Sequence, residues 1–592
     1  MEVEKKKRNH TRSLWSSCCS NWNSKKSSID EIDLDNSSNP RVMKERPGWK
    51  GAKYILGNET IERIATYGMQ GNFLVYLLNV FHLSQVGAAN IISLWIAVSN
   101  LIPMIGAIIS DAFLGKFRTI VLASIGTLVG IVIITLTAWL PQLHPPTCNH
   151  HQVCVAPTSF HLSILIFGLS WLAIGTGGIR PCAIPFAIDQ FDTNTLEGKK
   201  GASRFYNWYY TTQTFVMLIN ATLIVYMQNK NWVVGFGTLG LLMLCAIIIF
   251  LVGKSAYFFI SAEGSIFSGI AKVIVAAYKK HQLQFPSKEG ECVYYDPPLE
   301  DVKALKMPLT KELRCLNKAA MIQDNEINPE GRVTNTWNLC SIQQVEELKC
   351  LIKIIPIWAS GFLGAIPIVQ QGIFPITQAL KMDRHIGSFE IPAPSCSIVT
   401  LITIAIWLLF YDFFVQPALA KVTKQVEGIK SLQKIVIGNI FSILVMVSAG
   451  LVEWYRRNMA ISNTYGTKPI SAFWLAPQYI MLGFCEVFLL IGYIEFYNSE
   501  SPQKMKSIGN SLHYLMLACS SYAGVLVINI VNKVTQRNGG KGWLNNDINV
   551  GRLDYYYFLI SGLGAINLVY VIFCAKRYRY KVVVKAEVAD SI

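Results

Sequence analysis

Twelve runs of about 20 predominantly apolar residues, each long enough to cross a bilayer as a helix, restrict this chain more than any other feature of it. Inside hydrocarbon a backbone N–H or C=O has no water to bond, and a helix bonds all of them within its own segment. The first six runs lie near 54–81, 88–113, 117–140, 160–181, 204–227 and 232–252. The second six lie near 351–374, 395–416, 433–453, 473–497, 510–532 and 554–575. With 52% of its residues hydrophobic and only 15% charged, the chain has the composition of a multi-span protein. The expected fold class is an all-α membrane protein with twelve transmembrane helices.

The runs fall into two similar halves around a polar stretch, the layout of a transporter whose two bundles rock around a central site. The expected organisation is a cytoplasmic, mostly disordered tail over 1–53, a six-helix bundle over 54–252 and a cytoplasmic linker over 253–350. A second six-helix bundle follows over 351–575, then a cytoplasmic tail over 576–592. Within the linker, 266–278 spaces its apolar residues helically ahead of Lys279 and Lys280, as an interfacial amphipathic helix does. A plain solvated connector is the alternative. The first 40 or so residues lack the charged start, apolar core and cleavage site of a secretory signal.

A net charge of +16 raises the question of nucleic acid, but its distribution answers it. Lys5, Lys6, Lys7 and Arg8, then Lys116 and Arg118, then Lys199, Lys200 and Arg204 occupy alternate loops, whereas 82–87 and 141–159 contain no Lys or Arg. The positive-inside rule places both termini and the linker in the cytoplasm, and no nucleic-acid partner is expected. Arg456, Arg457, Lys468, Lys533, Arg537 and Lys541 run against that rule, so the orientation rests on the first six spans. Most of the 14 cysteines lie within spans as small hydrophobes, without zinc-like spacing, and no metal is expected. Cys148 and Cys154 share an external loop and are either a disulfide or two free thiols. There is no G-x-x-x-x-G-K-[ST], H-E-x-x-H or G-x-S-x-G pattern, which argues against an ATP-driven pump or an enzyme. A channel is the composition-level rival.

Charged residues inside spans carry the functional argument. Each costs roughly 2.5–3.5 kcal/mol at a helix centre and marks a functional site by default. Glu59, Glu62 and Arg63 in the first span are spaced i,i+3 and i,i+4 and project from one face. Arg180 in the fourth span stands between Gly175-Thr176-Gly177-Gly178 and Pro181, where a broken helix opens backbone groups to a cavity. Glu486 and Glu495 lie in the tenth span. Glu59, Glu62, Arg63 and Arg180 sum to zero charge when ionised. Protonating one glutamate leaves an arginine short of a partner, so the site gains affinity for an anion as it takes up a proton. One proton per monovalent anion moves no net charge, and two neighbouring glutamates supply sites for two. The structural alternatives are an ion pair that fixes helix packing, a snorkelling Arg180, and a hydrogen bond from Glu486 to a neighbouring helix.

The pattern Glu59-x-x-Glu62-Arg63 with Tyr67-Gly68 resembles the E-x-x-E-R motif of the proton-coupled oligopeptide transporter family. Gly106 to Asp111 and on through Gly115, Gly175 to Cys182 with Asp189-Gln190-Phe191, and Phe205-Tyr206-Asn207-Trp208-Tyr209-Tyr210 are similar to its plant branch, the nitrate and peptide transporter family. Glu486-Val487-Phe488, Glu495-Phe496-Tyr497 and Met505-Lys506-Ser507 extend the resemblance, which runs from about Gly48 to Arg579. It implies a major facilitator fold, alternating access and proton symport, with protons as coupling ion and no other cofactor. It also implies that Glu59, Glu62 and Arg63 couple protons while Arg180, Glu486, Tyr67 and Gln370 line the substrate cavity.

Three departures qualify the resemblance. Arg180 replaces the usual lysine, stays charged and offers a fork that holds a carboxylate bidentately. Ile368 stands where a nitrate-transporting member has a histidine, beside an unusual Pro367 that is expected to kink the seventh span. Phe413 occupies a position that usually carries arginine. The resulting expectation is a proton-coupled symporter, monomer or weak dimer, in the plasma or vacuolar membrane. Its cargo is an anionic or glycosylated organic solute, such as a hormone or a specialised-metabolite glycoside, or nitrate, moved toward the cytoplasm. A solute sensor with little transport is the rival from another class.

Overall fold

The computed structural model describes residues 46–146, 155–192, 195–259, 266–283, 294–297, 307–323, 326–328, 333–415, 418, 421, 429–462, 469–502, 506–537 and 542–580. The expected tail disorder before residue 46 and the state of Cys148 and Cys154 lie outside the described residues.

The chain enters through α1 (Trp49–Gly71) and passes a break at Asn72 into α2 (Phe73–Asn79). α3 (Gln85–Ile109), α4 (Lys116–Trp139) and α5 (Ser159–Ile188) follow. Then come α6 (Leu196–Ile219), a π-helical turn at Asn220–Ile224, α7 (Val225–Lys230) and α8 (Trp232–Val252). The linker contains α9 (Ile266–Lys279) and the single turn α10 (Arg314–Asn317). In the second half, α11 (Ile342–Gly364), α12 (Ile366–Gln371) and α13 (Phe374–Leu380) form one interrupted span. A small antiparallel hairpin pairs His385–Ile386 with Phe389–Glu390. α14 (Ile398–Phe410) and α15 (Ser431–Ser462) follow it, and α16 (Ala476–Cys485) joins α17 (Gly492–Glu500) through a π-helical turn at Glu486–Ile491. α18 (Lys506–Gln536) and α19 (Leu553–Arg577) complete the fold.

Helix is found in each of the twelve expected runs. Ten helical stretches among the described residues are long and apolar enough to cross a membrane. The other two are helical but more polar: α1 carries Lys53, Glu59, Glu62 and Arg63, and α6 carries Thr211, Thr212 and Gln213. Several helix starts follow from capping side chains that satisfy exposed N–H groups. The Ser84 side chain accepts from Gly87 N, Asn231 accepts from Val233 N and Val234 N, and Thr158 and Ser341 each form a capping box. The outward faces show apolar side chains such as Phe113 and Val569, as a lipid-covered surface requires.

Two elements differ from the sequence reading. α5 is an unbroken helix through Pro181 and Pro185. Its glycines serve close approach: a Cβ at Gly177 would lie 2.1 Å from Ile102 Cγ2, one at Gly175 2.1 Å from Thr127 Oγ1, and one at Gly106 2.4 Å from the Gly177 carbonyl oxygen. α15 runs to Ser462, past the charged Glu453 and Arg456, because those two residues bond to each other inside the bundle. The seventh span, where a kink is expected from Pro367, is interrupted at the single residue Ala365, which keeps right-handed helical dihedrals and still donates to the Gly361 carbonyl at 2.9 Å, with Pro367 in the first turn of α12.

Helix directions alternate, so the connecting segment and the described chain ends share one end of the molecule, the terminal end. The turns after α2, α4, α7, α13, α15 and α18 share the other, the loop end. There the halves are joined. Gln85 N donates to Asn546 Oδ1 at 3.0 Å, Gln85 Nε2 to Thr377 Oγ1 at 3.2 Å and Asn90 Nδ2 to Asn529 Oδ1 at 2.8 Å. The rings of Tyr226 and Phe389 stack with centroids 6.1 Å apart.

The linker is docked at the terminal end. Val273 and Ala276 of α9 pack with Ala319, Ala320, Val345 and Leu348, so part of its apolar face meets protein, while Ile274 and Tyr278 are exposed. Lys280 Nζ is buried and donates to Glu326 Oε2 and to the Met321 carbonyl, both at 2.7 Å. Glu346 accepts from Thr310 N at 2.9 Å and from Lys349 Nζ at 2.6 Å. Glu312 pairs with Lys353 of α11, whose hydrogen bond holds the Glu312 carboxyl below its ordinary range.

Candidate functional site

The three charges of α1 are buried together: Glu59 is 2% exposed, Glu62 1% and Arg63 5%. Helical spacing dictates their contacts. Arg63 Nε donates to Glu59 Oε1 one turn earlier at 2.8 Å, and Arg63 Nη1 donates to the Tyr67 hydroxyl one turn later at 2.9 Å. Nη2 reaches across to the Tyr209 hydroxyl of α6 at 3.1 Å. One guanidinium fork is thus divided between a carboxylate and two phenols. Glu59 Oε2 and Glu62 Oε2 are buried without a hydrogen-bond partner among the described residues. A carboxyl oxygen so placed is costly as an anion and accommodates a proton.

Beside this cluster a cavity of about 400 Å³ lies between the halves. From the first half it is lined by Thr66, Tyr67, Asn100, Thr176 and Arg180, among others. From the second half, α12 contributes Ile368 and Val369, the turn after it Ile373, α13 Ile376, and α18 His513, Tyr514 and Leu517. Arg180 Nη1 donates to Asn100 Oδ1 at 3.2 Å. Its charge is near enough to act on both Tyr67 and Glu62. Tyr67 therefore has two roles: it lines the cavity and holds Arg63 of the buried cluster.

The sequence-derived site residues separate into three places. Arg180 and Tyr67 are on the cavity wall. Glu59, Glu62 and Arg63 form the buried layer behind Tyr67 and do not themselves line the cavity. Gln370 and Glu486 are off this wall as well. The Gln370 amide is fully buried against α18, where a Cβ at Gly524 would lie 2.5 Å from its Nε2, and both its polar atoms lack partners among the described residues. Glu486 is half-buried at the start of the π-helical turn. Phe413 is exposed beyond α14.

Most of the wall, Asn100 and Tyr514 included, was missed in the sequence, and two of the missed residues carry an unpartnered ring nitrogen among the described residues. His513 lines the cavity with Nδ1 buried and unpartnered among the described residues, and Trp95 lines it with Nε1 in the same condition. A histidine within an apolar run was the available signal for the first. Nothing distinguishes Trp95 from the other aromatics of the spans. Ile368, at the position where a nitrate-transporting member has histidine, is on the wall too, so the imidazole here comes from a different helix.

A POT family profile, PTR2, matches residues 117–544. Protein NRT1/PTR FAMILY 2.13 of Arabidopsis thaliana is 47% identical over 549 residues, covering 92% of this chain and 88% of that protein. Protein NRT1/PTR FAMILY 2.12 of the same plant is 46% identical over 549 residues, covering 92% and 94%. The crystal structure of an auto-inhibited POT family peptide transporter matches with a TM-score of 0.66 at 19% identity, over 89% of this chain and 97% of that one. The POT family transporter PepTSo matches with a TM-score of 0.64 at 19% identity, over 89% and 98%. At that identity these two likenesses concern the fold. With helix in each of the twelve expected runs among the described residues, a buried E-x-x-E-R cluster and relatives matched along nearly its whole length, this multi-pass membrane protein belongs to the POT family of transporters, in its NRT1/PTR branch.

Proposed function

We propose that the protein is a proton-coupled symporter that carries an anionic organic solute, free or glycosylated, through the cavity between its halves. Nitrate is the smaller cargo of the same charge. Transport runs toward the terminal end, which the lysine and arginine distribution assigns to the cytoplasm, across the plasma or vacuolar membrane. One connected path carries the reading: Arg180 on the wall, Tyr67 beside it, and behind Tyr67 the Arg63–Glu59 pair.

The residues divide the work as follows. With Glu59 ionised, its carboxylate occupies Arg63 Nε. A proton on Glu59 weakens that bond and frees guanidinium charge toward Tyr67 and the cavity. A proton on Glu62 removes a negative charge that interacts with Arg180, leaving a cation on the wall that a solute anion neutralises. Arg180 keeps its charge throughout, so proton movement belongs to the glutamates.

The test is uptake by proteoliposomes under an acid-outside gradient, after a panel of nitrate, dipeptides, hormones and glycosides has identified a carried solute. Glu59→Gln is expected to lower concentrative uptake at least about tenfold while solute exchange stays within about threefold of wild type. Unchanged concentrative uptake in Glu59→Gln overturns the assignment. A protein that binds a panel member yet moves none of them is a sensor.

A further inference from the structure

The cavity wall has a direction. α1, α11–α13 and α18 run from the terminal end toward the loop end, while α3 and α5 run the opposite way. On the first-half segments the polar wall residues lie nearer the terminal end and an aliphatic one nearer the loop end: Tyr67 and Gln70 then Leu74, Asn100 then Trp95 and Ile92, Arg180 and Thr176 then Leu172. On α18 the order is His513 and Tyr514, then Leu517. Ser521 lies further along, but its hydroxyl donates to the Leu517 carbonyl at 2.9 Å and is spent within its own helix. Seven or eight residues of helix span about 11–12 Å, which sets the length of the gradient.

The two levels are fixed by contacts across helices. Arg180 is bonded to Asn100, its charge reaches Tyr67, and Arg63 interacts with both Tyr67 and Tyr514, so these groups share one level. At the other level, Gln85 at the start of α3 bonds Thr377, next to Ile376 on the wall. The α12–α13 face is aliphatic along its length, with Ile368, Val369, Ile373 and Ile376.

Resting on the reading of this cavity as the transport site, we infer that it takes an amphipathic monoanion in a single orientation. The acidic head is held by Arg180 and His513 at the terminal end, and the hydrocarbon body lies against Leu74, Ile92, Leu172, Ile373 and Ile376 toward the loop end. Arg180 supplies charge and a planar fork. His513 supplies a ring nitrogen that has no partner among the described residues and sits at the polar level of the opposite wall. Thus His513 and Ile376 determine specificity: the first for the acid group, the second for the length of the apolar body. A bare inorganic anion fills the polar level only and forgoes the hydrophobic contribution.

The test uses purified full-length protein in nanodiscs and the straight-chain acids acetate, butanoate and hexanoate, with nitrate and hexanol as controls, read by ligand-induced thermal stabilisation. Each buried methylene contributes about 0.8 kcal/mol, or about fourfold in affinity, so hexanoate is expected to bind more than tenfold tighter than acetate or nitrate, and tighter than hexanol. Ile376→Ser is expected to flatten this chain-length dependence by weakening hexanoate more than acetate. His513→Ala is expected to weaken all three acids about fivefold, with His513→Asn recovering most of the loss and the unliganded melting temperature showing that each variant is folded. Equal affinity for acetate and hexanoate, an unchanged slope in Ile376→Ser, or unaltered acid binding in His513→Ala overturns the inference. Proton-driven uptake with a flat acid series leaves symport standing and removes the polarised cavity. A steep series without proton-driven uptake of any solute removes symport and leaves the cavity.

Discussion

Glu453 and Arg456 on α15 are 0% and 2% exposed, buried as deeply as any charges described in the molecule. They persist there because every arm is bonded. Arg456 Nε and Nη2 each donate to Glu453 at 2.8 Å, Arg456 Nη1 donates to Asn549 Oδ1 at 2.7 Å, and Gln378 Nε2 donates to Glu453 Oε2 at 2.8 Å. Removing one partner leaves the other as an uncompensated buried charge. Arg456→Met is therefore expected to cost roughly 3–5 kcal/mol, seen as a lower apparent melting temperature in detergent. Adding Glu453→Gln to it is expected to restore much of the loss, since the remaining groups are neutral. The contrast with α1 is chemical. The α15 pair is satisfied on both sides, whereas Glu59 and Glu62 each keep an oxygen without a partner among the described residues, as the proposed proton exchange requires.

Among the elements, α5 is the one whose packing positions the wall. Its Gly175 and Gly177 let α3 and α4 approach to backbone contact, and Arg180 projects into the cavity one turn further on. Gly106 of α3 faces the Gly177 carbonyl, a backbone atom that cannot swing aside. Gly106→Ala is expected to destabilise by about 1–3 kcal/mol through overpacking and to weaken acid binding, because α3 also carries Asn100, the partner of Arg180. Measured stability and affinity should fall together; a normal affinity in a destabilised variant would separate this contact from the site. The interrupted span α11–α13 was legible from Pro367, but the continuity of α5 was not. Proline at 181 and glycines before it read locally as a break, and only neighbours that pack against those glycines keep the helix intact.

Across the whole molecule, the two halves are joined at the loop end by Gln85, Asn90, Tyr226 and their partners. Alternating access requires that end to part. Replacing Asn90 and Asn529, whose side chains meet at 2.8 Å, by cysteine and bridging them with a short thiol-reactive cross-linker is expected to abolish uptake, with neither single variant affected. Full activity after cross-linking would exclude opening at that end. By itself the sequence determined the membrane class, the twelve helical runs, the buried α1 cluster and the family. Apolar run length and the cost of an intramembrane charge are local properties that a linear chain displays. The tertiary structure alone decided which side chains form the cavity wall. Tyr67 and Arg180 face it, Gln370 and Glu486 do not, and His513 enters from a helix more than 300 residues away from Arg180 in the chain. That choice depends on the rotation of each helix about its own axis, which is set by packing between halves and leaves no periodic mark in the sequence.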